Sequence, residues 1–389
     1  MRVRVLVPDV SAGGMSRAYA LALVVDKLRH EVEIRGPAIQ AAEIYPKPPP
    51  GLRVRPFRSL LREGLLASAG SAGGADVLLA VKPQPGSLGV ALRQRSQSGA
   101  PIILDIDDWE PVGFGVGGRQ APSVADRARG LLRSARRLGD PNHSVYNRWI
   151  QRFVHRADAI TAPTRVLAEK FGATLLPQAR DTEVFDPSHF DAEACRRALG
   201  LEGFGVLLFP GTPRPHKGLE DVLRALERVG RPELRLVVAG GRETAFAKEL
   251  AQREKRWLVE LPRRPAHEMP AVVAAAHLVV VPQRDVPAAR SQFPIKLTDA
   301  MAMAKPILTT RVGDVPEIVG DTAYLVAPSH PEQLAAAIEE IFANPAAAEL
   351  QGERARKRCV ERYSLEAVGR TLAPILEDVA RRRNSARAR

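Results

Sequence analysis

The sequence predicts an α/β protein built from two consecutive doubly wound units, and three observations carry that expectation. The chain has 389 residues, more than a single core usually holds before a chain divides into domains. Short apolar runs alternate with helical periodicity throughout, which is the pattern of parallel sheets covered on both faces. The series of strands also occurs twice, with a stretch at 186–203 (DPSHFDAEACRRALGLEG) of turn residues and a short helix that reads as a linker between the two sets.

In the first series, RVRVLVP (2–8) is a buried-strand run. It is followed by a Gly-Gly turn and an apolar periodicity from Met15 to Leu28. HEVEIRG, ADVLLAV, APIILDI, ADAITAPT (157–164) and ATLLPQ (173–178) continue it. The second series opens with FGVLLFPG at 204 and a helix through LEDVLRALERV. LRLVVAGG, RWLVEL, AHLVVVPQ, KPILTT and TAYLVAP follow as strands, then the helix PEQLAAAIEEIF. A last helix is expected over about 362–383, with 384–389 as a solvated basic tail. Two such units predict a cleft between them, with ligands outside the carboxyl ends of the strands.

Composition narrows the class. Apolar residues make up 45% and charged residues 26%, as in a globular protein. The two cysteines, Cys195 and Cys359, offer neither a zinc spacing nor a disulfide framework, which suits a reducing compartment. The opening MRVRVLVPDV is too short an apolar run for a signal peptide, and no run reaches the ~20 apolar residues of a membrane span. A cytoplasmic protein is expected, or one peripheral on the cytosolic membrane face. The net charge of +13 favours anionic partners. An Arg-rich composition inherited from a GC-rich genome explains it equally well. No recognition helix, stacking platform or zinc motif supports nucleic-acid binding.

Candidate residues lie where strands end. After the first strand come Gly13 and Gly14, where backbone amides can approach an anion before a helix. After APIILDI come Asp107 and Asp108, read as facing an acceptor in preference to a metal-binding D-x-D with Asp105. In a third reading Asp105 simply pairs with a neighbouring Arg. After FGVLLFPG, Gly211 closes the strand, and Thr212, Arg214 and Lys217 precede a helix, a good seat for a diphosphate. In SQFPIKLTDAMAMAKPILTTRVGDVPEIVG (291–320), Pro294 suits the first helical position. Lys296 and Asp299 share a helical face. Lys296 sits in the first turn, against the macrodipole, as expected of a residue that serves an anionic ligand. Asp299 can accept the two hydroxyls of a ribose diol. A surface Lys–Asp pair is the plain alternative. The stretch 119–156 holds nine arginines and two acids. It reads either as a surface for anionic lipid or as helices showing arginines to water.

The chain resembles the retaining glycosyltransferases of family 4, which have the GT-B fold of two Rossmann-like domains facing across a cleft. Gly211-Thr212-Pro213-Arg214-Pro215-His216-Lys217-Gly218 is similar to the family's G-R-x-x-x-x-K-G. The resemblance implies that Lys217 holds the donor diphosphate, with Arg214 standing in for the arginine that Thr212 replaces. The family's E-x7-E falls on Ser291 and Asp299, which implies that Asp299 holds the donor ribose and that the first acid is lost. Gln292, Phe293, Pro294 and Ile295 occupy the family's G-F-G-L stretch, and P-x-K-x-x-E-x-M-A matches Pro294, Lys296, Asp299, Met301 and Ala302. Glu317 belongs to a stretch that shapes the donor pocket floor. Gly13 and Gly14 match the glycine-rich loop of the N-domain, and the family histidine falls at Asp107. The resemblance implies an acceptor-binding domain over 1–190, joined by the 362–383 helix, and a donor-binding domain over 191–361. It implies an enzyme that moves a sugar from a nucleotide-sugar donor to an acceptor hydroxyl with retention, in glycan, glycolipid or cell-envelope polysaccharide synthesis, with no metal or other cofactor. The catalytic groups are Lys217, Arg214 and Asp107. A nucleotide-sugar epimerase of the same fold, or a weakly active donor-binding partner subunit, are the alternatives.

Overall fold

The computed structural model describes residues 1–11, 13–41, 43–57, 59–60, 74–107, 143–253 and 256–387. The chain divides into two compact units, Met1–Pro177 with Val368–Arg389, and Gln178–Ala367. Asp108 and 119–142 of the arginine-rich stretch lie outside the described residues.

The first unit contains β1 (Arg2–Leu6), β2 (Glu31–Pro37), β3 (Arg53–Phe57), β4 (Val77–Val81), β5 (Ile102–Asp105), β6 (Ala159–Ala162) and β7 (Thr174–Leu175). They form one sheet in the order β3-β2-β1-β4-β5-β6-β7, with every pair parallel. The chain reverses its direction of growth between β1 and β4, so the loops that leave these two strands part and open a crevice.

The second unit repeats the scheme with β8 (Gly205–Phe209), β9 (Leu234–Ala239), β10 (Leu258–Leu261), β11 (Leu278–Val281), β12 (Ile307–Thr310) and β13 (Tyr324–Val326). The order is β10-β9-β8-β11-β12-β13, again parallel, with the reversal between β8 and β11. Alternation along these strands explains why the runs are continuously apolar. Val206 and Leu208 of β8 and Val279 and Val281 of β11 enter one core cluster. Leu207, Phe209, Leu278 and Val280 enter the cluster on the other face.

Several boundaries differ from the sequence expectation. The stretch 186–203 is not a linker. Asp191 Oδ1 accepts hydrogen bonds from Glu193 N (2.9 Å) and Ala194 N (3.1 Å), capping the helix Ala192–Ala198. Phe185 and Leu201 are buried in the second unit's core. The units divide at 177/178, where the sequence suggested 190/191, because Arg180 N already bonds to Tyr363 O at 2.7 Å. The last helical stretch is two helices, Pro345–Tyr363 and Leu365–Arg387, broken at Ser364, whose Oγ accepts from Ala367 N. From Val368 this helix belongs to the first unit, where Arg383 donates to Ala75 O and Asp76 O. The expected tail is helical as far as Arg387, since RRRNSAR contains no Gly or Pro to stop it. β3 was not expected from RVRPF, whose charges hide the strand period; Pro56 is tolerated there because β3 is an edge. The turns Pro85–Gly89 and the helix Val90–Ser98 were also unforeseen.

Candidate functional site

In the second unit, the loops leaving β8 and β11 at the reversal point carry the candidate site. The first runs from Pro210 to Gly218 and feeds the helix Leu219–Val229. Gly218 has φ +68°, and a Cβ there would stand 1.9 Å from Pro282 O, so the backbones of the two loops meet at a position that admits no side chain. Arg284 ties them further. It donates to Asp221 Oδ2 (3.0 Å), Glu220 Oε2 (2.9 Å) and Pro215 O (3.2 Å), and its own N donates to His216 O. These contacts fix the turn Pro215–Lys217.

Lys217 therefore projects from a braced turn. Its Nζ donates to Gln283 Oε1 at 3.1 Å and to Gln292 Oε1 at 2.9 Å. Gln283 follows β11 directly, is 1% exposed, and has its Nε2 buried with no hydrogen-bond partner among the described residues. Gln292 opens the stretch that resembles the family's G-F-G-L, with no role assigned to it from the sequence, and Gln283 is not singled out there. Gln283 could have been found only by knowing that β8 and β11 are neighbours.

Lys296 lies on the helix Ile295–Ala302. Pro294 precedes this helix as its N-cap residue, with ψ 98°, one position earlier than the sequence suggested. The Lys296 ammonium stands 5.1 Å from the Phe209 ring centroid. Gly211 presses on its stem, since a Cβ at Gly211 would fall 2.5 Å from Lys296 Cε. Burial lowers the Lys296 pKa; Arg214 acts in the same sense and Asp299 opposes it. Arg214 is exposed at the start of the turn Pro215–Lys217. Thr212 packs against Gly241, where a Cβ would meet its Cγ2 at 2.7 Å. The loop after β8, Lys296 and Asp299 are thus gathered in one place.

Asp299 is buried one turn beyond Lys296 and forms an ion pair with Arg180. Burial raises its pKa, while Arg180 and then Lys296 pull it down. The other members of the segment serve the scaffold in this structure. Ser291 Oγ donates back to Pro287 O at 3.2 Å, at the end of the short helix Pro287–Arg290. Phe293 meets the Tyr363 ring edge-on at 5.7 Å. Glu317 is exposed on the helix Val315–Val319, and its carbonyl accepts from Arg358.

In the first unit, Gly13–Met15 form a tight turn before the helix Ser16–Lys27, and nothing lies within 4 Å of a Cβ built on Gly14. Asp107, just past β5, lies 3.8 Å from Lys82 Nζ, just past β4. Asp105 is held by Arg17, whose Nε and Nη2 donate to its two oxygens at 2.9 and 2.8 Å, while Thr161 Oγ1 adds a third bond at 2.7 Å. Of the three readings of this strand end, pairing with a neighbouring arginine is the one Asp105 adopts. Its lone pairs are used within the fold.

Residues 205–344 match the family model described as Glycosyl transferases group 1. Alpha-D-kanosaminyltransferase of Streptomyces kanamyceticus is 28% identical over 201 residues, covering 49% of this chain and 50% of that protein. The GDP-mannose-dependent alpha-(1-6)-phosphatidylinositol monomannoside mannosyltransferase of Mycolicibacterium smegmatis is 26% identical over 246 residues, covering 58% and 64%. The chain thus spans about half to two thirds of the length of these curated relatives. Among solved structures, a Rickettsia africae glycosyltransferase matches with a TM-score of 0.69 at 16% identity, covering 97% of this chain and 98% of that one. Anabaena HepE in complex with UDP-glucose matches with a TM-score of 0.70 at 17% identity, covering 97% and 100%. These likenesses, with the two parallel sheets, establish the GT-B fold.

Proposed function

We propose that this chain is a glycosyltransferase that moves a sugar from a nucleotide-sugar donor to an acceptor hydroxyl with retention of configuration. The observation that carries the reading is the convergence of Lys217, Lys296 and Arg214 on the Gly211–Gly218 loop, one helical turn from the buried Asp299. Cations placed there suit a pyrophosphate, and a buried carboxylate beside them suits the ribose hydroxyls. The UDP-glucose of the HepE complex and the GDP-mannose named for the mycobacterial relative support a nucleotide-sugar donor. The alpha linkages in the relatives' names support retention, and the phosphatidylinositol mannoside acceptor supports a place in glycolipid or cell-envelope synthesis.

The chemistry asks little covalent work of the protein. The bond from the anomeric carbon to the β-phosphate oxygen breaks, the acceptor oxygen bonds the same face, and the acceptor proton passes to the departing diphosphate. Negative charge grows on the β-phosphate, and Lys217, Arg214 and Lys296 are the groups assigned to meet it. The scheme calls on no divalent ion, so turnover should persist in EDTA. Asp107 of the first unit is assigned to the acceptor, and Gly13 and Gly14 to close backbone approach. The donor side is further assigned to Glu317 on the helix Val315–Val319 and to the 291–295 segment, with Ser291, Phe293, Pro294 and Ile295. Lys217→Ala should lower turnover by about 10²–10³, the effect of losing one preorganised donor worth ~3–4 kcal/mol, and leave the melting temperature unchanged. Near-normal turnover in that variant contradicts the assignment.

A second reading, contact with an anionic membrane, is favoured by the helix Ser144–Gln151. Val145, Tyr146 and Trp149 are 51%, 38% and 56% exposed there. Arg148, Arg152 and Arg156 stand beside them, also exposed, and 143–156 contains no Asp or Glu. An apolar ridge next to a basic one suits a lipid surface. Among the described residues no helix is long and apolar enough to cross a membrane. The chain should cosediment with phosphatidylglycerol vesicles and not with phosphatidylcholine vesicles. Equal behaviour toward both ends this reading.

A further inference from the structure

Asp299 and Arg180 form an unfinished pair. The contact joins an Arg180 guanidinium nitrogen to Asp299 Oδ1, while Arg180 Nε is buried with no hydrogen-bond partner and Asp299 Oδ2 takes no hydrogen bond among the described residues. An unsatisfied buried polar atom costs about 1–3 kcal/mol, and such atoms in a folded protein call for an explanation. The surroundings hold both side chains firmly. Arg180 N donates to Tyr363 O at 2.7 Å, and its guanidinium stacks on the Phe185 ring at 4.5 Å. Asp299 sits mid-helix, with the preceding Thr298 O accepting from Cys359 Sγ at 3.7 Å. The pair is therefore held in contact while keeping hydrogen-bond capacity in reserve, beside the cations placed at the diphosphate.

We propose that Arg180 is a positioning residue of the donor site, holding the Asp299 carboxylate ionised and aimed so that its unused lone pairs accept the hydroxyls of a nucleotide ribose. This rests on the donor reading given above. Arg180 belongs to no motif; it lies in the segment that opens the second unit, over a hundred residues before its partner.

The charged and titratable groups around Asp299 are Arg180 from the opening segment, Lys296 on its own helix, and Cys359 from the helix Pro345–Tyr363. Arg356 of that helix is engaged by Asp186 and by Ala302 O. The Cys359 thiol is pushed up to about 12 by burial, so it stays neutral. Burial raises the Asp299 pKa and Arg180 is the main influence against it, so loss of Arg180 lets it rise further. Because the carboxylate is charged only above its pKa, donor binding in an Arg180 variant should fail at a higher pH as the solution is acidified.

The test is calorimetric titration of the full chain with UDP, GDP and ADP between pH 5 and 9. Arg180→Met should weaken binding of the preferred nucleotide about tenfold at pH 7 and move the acid limb up by about one pH unit, since one unit of pKa is a factor of ten. Arg180→Lys should restore most of the affinity, and Asp299→Asn should bind weakly with no acid limb. Arg180→Gln serves if Arg180→Met does not fold. An unchanged affinity and pH profile in the neutral variants, with binding abolished in Lys217→Ala, overturns the role of Arg180 alone. If Lys217→Ala also binds every nucleotide as the parent chain does, the donor site itself is misplaced and this role falls with it.

Discussion

Among the described residues, the pair Arg17–Asp105 of the first unit and the pair Arg180–Asp299 of the second join an arginine to a buried aspartate, and the two differ in a telling way. In the first unit, Arg17 and Asp105 are 1% and 0% exposed and fully bonded. Two parallel N–H···O bonds join them, Thr161 completes the carboxylate, and the remaining guanidinium donors reach Leu176 O and Pro177 O. In the second unit, Arg180 meets Asp299 through Oδ1 alone, and Arg180 Nε is left buried without a hydrogen-bond partner among the described residues. A pair whose hydrogen bonds are all made within the chain fastens the fold. A pair with bonds left over has them available for a ligand.

The comparison can be broken by stability measurements. Arg17→Met should have the larger effect, a loss of about 3–5 kcal/mol, because it strands a fully buried carboxylate, read as a large drop in denaturation midpoint. Arg180→Met should cost about 1 kcal/mol or less, because Asp299, its pKa already raised by burial, can take a proton instead of remaining charged. Equal losses in the two variants would mean that both pairs are structural.

Much of the architecture was legible in the sequence because parallel strands covered on both faces leave continuous apolar runs. β4 and β11, VLLAV and LVVV, are buried along their whole length. β3 was missed for the converse reason: as an edge strand it keeps Arg53 and Arg55 in solvent, and no apolar period survives. In the site, Lys217, Lys296 and Asp299 could be picked out because each follows a strand or opens a helix at a spacing with chemical meaning. Arg180 and Gln283 could not, and Gln292 stands out only as a member of its segment, without a role. They act through neighbours 119, 66 and 75 residues away, and only the folded topology brings them together. Ser291 and Phe293 lie within the strongest segment, yet their visible contacts are a hydroxyl turned back to its own helix and a ring packed on Tyr363.

The central claim is that one site in the second unit grips a diphosphate and a ribose together. A crystal soaked with UDP or GDP tests it most directly. The diphosphate should lie against Lys217 and the turn Pro215–Lys217, with a ribose hydroxyl within hydrogen-bond distance of Asp299. Nucleotide density anywhere else, or a ribose that leaves Asp299 untouched, would contradict the account.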